Sequence, residues 1–364
     1  MSASGRTEVH PPSLHSEFTV YGLSAVAGEV WAVGLSHFPD PALIAHTAGG
    51  EPWQLISYPS SEAKHTQLYA VHATTGGDVW AVGRDVLSSD TERTHIAHGD
   101  RTTWRPVPSP DDADGRNNLF DVAAWGRDDA FAVGARTSYP PSSPPTPGVP
   151  PLAAWDTLAV RWDGARWAAV PGLGRGMLGG VCAVGPGSYW VVGTASAAAR
   201  SGNAALVAHY AGGHWQQIGS EVAGALTGVA ATGPDDVWAI GQDQDPNHPD
   251  LPLILHYDGH VWAPADVPVM AGQPWLTAVA CAGRGNVWVV GGKRRDDGGV
   301  GPFILHFDGS AWAAVEPPAT EAPTALQAVT ALPSGEGWAA GFASSSPGDT
   351  GYTVPLVMSS EGHH

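Results

Sequence analysis

The feature that most limits what this chain can fold into is a six-residue pattern that returns along its whole length. It reads EVWAVG ending at Gly34, DVWAVG at Gly83, DAFAVG at Gly134, SYWVVG at Gly193, DVWAIG at Gly241, NVWVVG at Gly291 and EGWAAG at Gly341. The aromatic positions, Trp31, Trp80, Phe131, Trp190, Trp238, Trp288 and Trp338, are separated by 49, 51, 59, 48, 50 and 50 residues. A period of about fifty held over seven units marks a repeat architecture, in which each unit is one supersecondary piece that buries its apolar face against its neighbours.

The fifth unit is the clearest template. Residues 226–231 are small and apolar, Gly233-Pro234-Asp235 is a turn, and 237–241 read as a second strand. A polar loop over 242–252 leads to a third strand at 253–257, then Asp258-Gly259, a hairpin signal, and a fourth segment at 261–265. Four short antiparallel strands per unit, seven units and no helical periodicity predict an all-β fold, a seven-bladed β-propeller forming a single domain over residues 1–364. Inner strands are expected to start near 23, 68, 119, 178, 226, 276 and 326. The seventh unit ends one strand short, and Val9-His10-Pro11-Pro12 resembles Val315-Glu316-Pro317-Pro318 at the end of the sixth unit. An N-terminal strand over residues 5–10 is therefore expected to pair with 354–360 and to close the last blade, removing an exposed sheet edge. The template also places Trp238, His256 and Trp262 in one cross-strand row on one sheet face, with equivalents in other units.

Charge excludes some partners. With 17 basic and 35 acidic residues among 364, the net charge of -18 repels nucleic-acid phosphates and anionic membrane surfaces. The first residues lack the apolar stretch of a signal peptide and no run is long enough to span a bilayer, which leads to the expectation of a soluble cytoplasmic protein. Cys182 and Cys281, in different units, are expected to be buried free thiols.

The WAVG strands and the hairpins DGARW, DGHVW and DGSAW resemble known propeller families. The hairpin is similar to a shortened Asp-box turn of sialidase-type and photosystem-assembly-type propellers, and the VW strand is similar in character to that of tectonin lectin propellers. The spacing resembles that of chromosome-condensation regulator repeats, whose Gly-Gln-Leu-Gly signature is absent here. The resemblance covers nearly the whole chain and implies architecture; no catalytic residue is carried over from it.

Long, dissimilar links fall between second and third strands and between units, all on one face, so a binding site is expected around the channel mouth there. Candidate ligand-binding residues on that face are Tyr69, Phe120, Trp155 and Trp275, aromatics outside the repeat positions. The third unit departs most from the template: Phe131 replaces Trp, Arg161 replaces His, an insertion runs over 135–156, and Asp121 interrupts an inner strand. Asp121 with His72 forms the candidate catalytic pair for proton transfer; the plainer reading of Asp121 is a channel-lining acid bonded to backbone. Arg161 is expected to stack between Phe131 and Trp167. Five equivalent histidines, His46, His98, His209, His256 and His306, point the same way around the ring and do not converge on one metal; each is expected to bond to the polar residue starting the second strand, Glu29, Asp78, Ser188, Asp236 or Asn286. Acidic loops holding Asp243, Asp245 and Asp250, and Asp296 with Asp297, have no calcium-loop spacing. No nucleotide fingerprint, P-loop, HExxH or GxSxG is present, and no cofactor or metal is assigned. The leading expectation is a propeller that binds a small molecule or glycan; the alternatives are a cofactor-free cyclase, isomerase or lyase of specialised metabolism and a protein-interaction scaffold.

Overall fold

A computed structural model describes residues 7–9, 18–36, 42–49, 51–58, 63–87, 91–110, 116–138, 154–196, 203–218, 224–243, 251–268, 270, 272–317, 324–334, 337–344 and 353–360. The described strands group into seven four-stranded antiparallel sheets. In six of them the four strands are consecutive in the chain. The remaining sheet contains Thr324–Ala331, Gly337–Ser344 and Thr353–Ser360, with Thr7–Val9 at its edge, Thr7 opposite Ser360 and Val9 opposite Met358. Gly5, Arg6 and His10 of the expected N-terminal strand lie outside the described residues. The architecture is an all-β propeller with four antiparallel strands per blade.

The seven inner strands are Phe18–Val26, His65–Ala73, Asn117–Gly126, Gly176–Gly185, Gly224–Gly233, Trp275–Gly283 and Thr324–Ala331. Each starts upstream of the point read from the apolar pattern, because polar residues such as Gln67, opposite Arg84, and Asn117, opposite Arg136, extend the pairing beyond the apolar run. Besides a second slip beside the turn in four units, every inner strand slips register against its partner near its start, skipping Tyr21, Tyr69, Phe120, Gly179, Thr227, Thr277 or Gln327. These are β-bulges, and the glycine that closes each WAVG motif permits them. In the third unit a Cβ on Gly134 would overlap the carbonyl oxygen of Asn118, and the other six motif glycines face the same obstruction. The bulge presses one inner-strand carbonyl onto the neighbouring strand, so only a residue without a side chain fits there.

Sheets pack face to face in chain order, and the last packs on the first: Val20, Leu23, Val30 and Ala32 share a core with Ala328 and Ala340. The motif aromatics form the seams. Trp238 stacks on His256 of its own sheet with ring centres 3.9 Å apart, and its indole also meets Phe307 and Trp312 of the next sheet at 5.2 and 5.4 Å. The expected Trp238–His256–Trp262 row is corrected here. His256 lies opposite Ala263, and Trp262 lies opposite Tyr257. Asp258 accepts backbone N–H bonds from His260 and Val261, holding a four-residue loop whose register is one residue away from the expected one. A one-residue slip turns the side chain to the other face, so Trp262 packs back onto Trp190 of the preceding sheet, 5.4 Å away.

The five histidines take the partners expected of them. His46 bonds Glu29 at 3.3 Å, His98 Asp78 at 3.1 Å, His209 Ser188 at 2.9 Å, His256 Asp236 at 2.7 Å and His306 Asn286 at 2.9 Å. Burial lowers the pKa of His46, His98, His209 and His306. In the third unit Arg161 takes the histidine's place by pairing with Asp129 at 3.2 Å. It sits opposite Ala168, while Trp167 faces Trp80 at 5.2 Å, so the expected stack of Arg161 on Trp167 gives way to an ion pair.

Candidate functional site

The bulges decide what faces the axis. The seven residues skipped near the strand starts all line a central cavity of about 560 Å3 bounded by the inner strands. Because they occupy equivalent positions, they form a ring near the end from which the long links emerge, and the ring is filled unevenly. Three consecutive units contribute Tyr21, Tyr69 and Phe120, and the next four contribute Gly179, Thr227, Thr277 and Gln327. The aromatic side is a continuous wall. Tyr21 and Tyr69 meet edge to face with centres 5.6 Å apart and planes at 61°, and Tyr69 and Phe120 are 6.1 Å apart at 55°.

A polar network fixes the middle of that wall. The Tyr69 hydroxyl donates to Gln67 Oε1 at 2.8 Å, and Arg84 Nε donates to the same oxygen at 2.9 Å. The Arg84 guanidinium lies 5.7 Å from the Tyr69 ring centre and pairs with Glu92 at 3.0 Å. The other Glu92 oxygen accepts from Asn118 Nδ2 at 3.0 Å. Burial raises the Tyr69 pKa to about 12, with Arg84 opposing the shift, and raises that of Tyr21. Both phenols therefore stay protonated at neutral pH. On the other side of the same sheet, His95 joins Tyr58 at 2.6 Å and Asp85 at 3.0 Å, and Asp85 also accepts from Thr66 at 2.6 Å. Glu92, His95, Thr66 and Asn118 are all buried.

Deeper in the channel, Asp121 and His72 join neighbouring inner strands. Val122 N–H donates to Asp121 Oδ1 at 2.9 Å, and Val181 N–H, on the next inner strand, donates to Oδ2 at 2.8 Å. Asp121 lines the cavity and is half-buried, with protein around most of its carboxylate. Desolvation raises its pKa to about 7, and the two N–H bonds hold the shift back. His72 is pushed down to about 4 by desolvation, offset in part by a bond to the Ala124 backbone. Each of the two is bonded to backbone. Ser24 Oγ likewise accepts from Ala73 N–H at 3.0 Å, Thr330 Oγ1 from Ala25 N–H at 2.9 Å, and Thr277 Oγ1 donates to the Leu326 carbonyl at 2.8 Å. These polar side chains staple one inner strand to the next. Cys182 and Cys281 also face the channel as free thiols whose pKa burial raises.

The other sequence candidates lie elsewhere. Trp155 is half-buried on the third strand of its sheet, opposite Thr137, and Trp275 opens its inner strand opposite Gly292, where its indole occupies the space a Cβ would need. Neither lines the channel cavity. Asp245 and Asp250 fall outside the described residues, and Asp297 accepts from Gly299 N–H at 2.8 Å and pairs with Arg295. Among the described residues no three His, Cys, Asp or Glu side chains gather as a metal group. Sequence reading missed Tyr21, Gln67, Arg84 and Glu92. Aligning the seven inner strands on the residue before Gly22, Ala70 and Asp121 picks out Tyr21 beside Tyr69 and Phe120.

Solved structures share this fold. YCF48 bound to D1 peptide superposes with a TM-score of 0.59 at 14% identity, covering 99% of this chain and 98% of that one. The β-propeller domain of the Trilobed protease from Pyrococcus furiosus gives 0.56 at 9% identity, with 96% and 95% covered. The fucose-specific lectin from Aleuria aurantia gives 0.52 at 14% identity, with 84% and 98% covered. At these identities the likeness is one of fold. No protein-family profile matches the sequence, and no curated protein does. Among the described residues no helix is long and apolar enough to cross a membrane.

Proposed function

We propose that this chain is a ligand-binding propeller that takes a small molecule or glycan at the long-link mouth of its channel, against Tyr21, Tyr69 and Phe120. In the same reading, the seven sheets are the seven blades of one closed ring and Thr7–Val9 completes the last blade. The observation that carries the proposal is the uneven ring of bulge residues. Bulges recur in every unit as scaffold, but aromatics fill them in only three consecutive units, where they wall one side of a roomy cavity. Aromatic rings lining an open cavity suit stacking on a sugar or planar ring. The buried network behind Tyr69 holds that ring in place, as a preorganised binding surface requires.

Named neighbours fit ligand recognition, since one is bound to a peptide and another is fucose-specific. A catalytic part for Asp121 with His72 draws less support, because both side chains are spent on bonds to backbone. Trp155 and Trp275 stand outside the cavity, and the proposal rests on Tyr69, Phe120 and Tyr21. Its test is a thermal-shift screen against a panel of sugars, aromatic metabolites and amines. A compound that stabilises the wild type and leaves the Tyr69→Ala/Phe120→Ala double variant unmoved supports the reading. Equal stabilisation of both proteins places the site elsewhere.

A further inference from the structure

The proposal above leaves the ligand's chemistry open, and the charge around the mouth narrows it. The cavity lining contains one carboxylate, Asp121, beside Phe120 in the chain, and no lysine or arginine. His72, the one other group there that titrates between acid and neutral pH, is pushed toward its neutral form by burial. An anionic ligand would meet no cationic donor in this wall, inside a chain of net charge -18. A cation meets three π-faces and the Asp121 carboxyl, whose pKa burial raises to about 7 and which a cation bound beside it would favour in its ionised form. The rings are tilted by 61° and 55° to one another, and centroid spacings of 5.6 and 6.1 Å let one compact positive group at the mouth lie within reach of more than one face.

Arg84 does not already fill this role from inside. It is absent from the lining and sits behind Tyr69, and Glu92 at 3.0 Å balances its charge. Gln67 and Asn118 hold the pair in place, with Arg84 Nε donating to Gln67 and Asn118 donating to Glu92. The back of the wall is thus neutral overall.

We infer that the channel mouth binds an organic cation, an alkylammonium or quaternary ammonium group seated against Tyr21, Tyr69 and Phe120 with Asp121 below it. This rests on the reading of the mouth as the ligand site. The test is isothermal titration of the full chain with choline and tetramethylammonium, with 3,3-dimethylbutan-1-ol as the uncharged shape-mimic of choline. Choline is expected to bind on the order of tenfold more tightly than the mimic. Tyr69→Ala and Phe120→Ala should each lose most of that binding, Tyr69→Phe should keep it, and Thr227→Val on the far side of the ring should leave it unchanged. Melting curves for each variant establish that the fold persists, and Tyr69→Phe keeps the test valid if an alanine variant unfolds. Equal affinity for choline and the mimic, or no binding of either cation, overturns the cation assignment. If a neutral sugar or indole then binds in a Tyr69-dependent way, the mouth remains the site and only the ligand class falls. If every compound that binds is indifferent to Tyr69 and Phe120, both fall.

Discussion

The two sides of the channel wall are built from the same repeat and differ in what they carry. In the first three units the inner strands present Tyr21, Tyr69 and Phe120 at the mouth, and Ser24, His72 and Asp121 each bond to the backbone of the following unit. In the fourth and fifth units the bulge positions hold Gly179 and Thr227, the positions of Ser24 and His72 hold Cys182 and Ala230, that of Asp121 holds Gly180 and Gly228, and close backbone contact replaces stapling. A Cβ added at Gly180 would come within 3.0 Å of the Gly228 Cα. Identical strands thus meet either through polar side chains or through bare backbone. The repeat fixes the scaffold, and whatever breaks its symmetry is where a specific function has room to sit.

The largest expected effect concerns the seams behind the aromatic side. Trp80 is fully buried and meets Trp162 at 5.0 Å, Trp167 at 5.2 Å and His98 at 4.2 Å. Trp80→Ala should cost about 3–5 kcal/mol in denaturant unfolding. Trp288→Ala, at a half-buried residue stacked on His306, should cost clearly less. Equal losses would mean that the two sides are packed alike.

Next comes binding. Removing two stacking rings with Tyr69→Ala/Phe120→Ala should weaken a ligand found by screening by about 2–4 kcal/mol. Thr227→Ala with Thr277→Ala should change its affinity by less than about 0.5 kcal/mol, as measured by titration calorimetry. A reversed order would move the site across the ring.

A third test uses pH. The pKa of Asp121 is raised to about 7 from 3.8, so the folded protein holds that proton while the unfolded chain has lost it. Its contribution is complete below about pH 4 and disappears as pH rises to 7. His72 is lowered to about 4 from 6.5, so its linkage has the opposite sign and stability rises with pH between those values. Urea unfolding across pH 4–7.5 should show Asp121→Asn gaining on wild type as pH rises, by on the order of 1–3 kcal/mol because Asp121 is only half-buried. His72→Asn should lose ground over pH 4–6.5. Parallel curves for all three proteins would remove both groups from the linkage.

The smallest effect tests the staples themselves. Ser24→Ala leaves the Ala73 N–H without its acceptor and should cost about 1 kcal/mol, with faster amide exchange at Ala73. The reciprocal Ala230→Ser, at the equivalent position of the unstapled side, should shift stability by less than about 0.5 kcal/mol.

Much of this scaffold is legible in the sequence. The WAVG period gives the strands, and the polar residue that starts each second strand identifies the partner of each histidine, because diagonal side chains on adjacent strands share one face. The register of the outer hairpin is not legible. Whether the Asp258-Gly259 turn closes a three-residue or a four-residue loop depends on Asp258 bonding to two N–H groups, and that choice sends Trp262 to the opposite face. The bulges are hidden for a related reason. A bulge adds one residue without changing composition, so Tyr21, Tyr69 and Phe120 look like ordinary strand aromatics until pairing shows that each is skipped. Asp121 is conspicuous as a charge among small residues, but its two backbone donors come from its own strand and the next, a contact that requires the ring.

The most direct test of the central claim is native mass spectrometry of three proteins purified from the same cells: wild type, Tyr69→Ala/Phe120→Ala and Thr227→Val. If the aromatic side of the mouth is the ligand site, wild type and Thr227→Val carry the same small non-covalent adduct, lost on denaturation, and the double variant lacks it. An adduct retained by the folded double variant, or one lost only in Thr227→Val, would contradict that assignment.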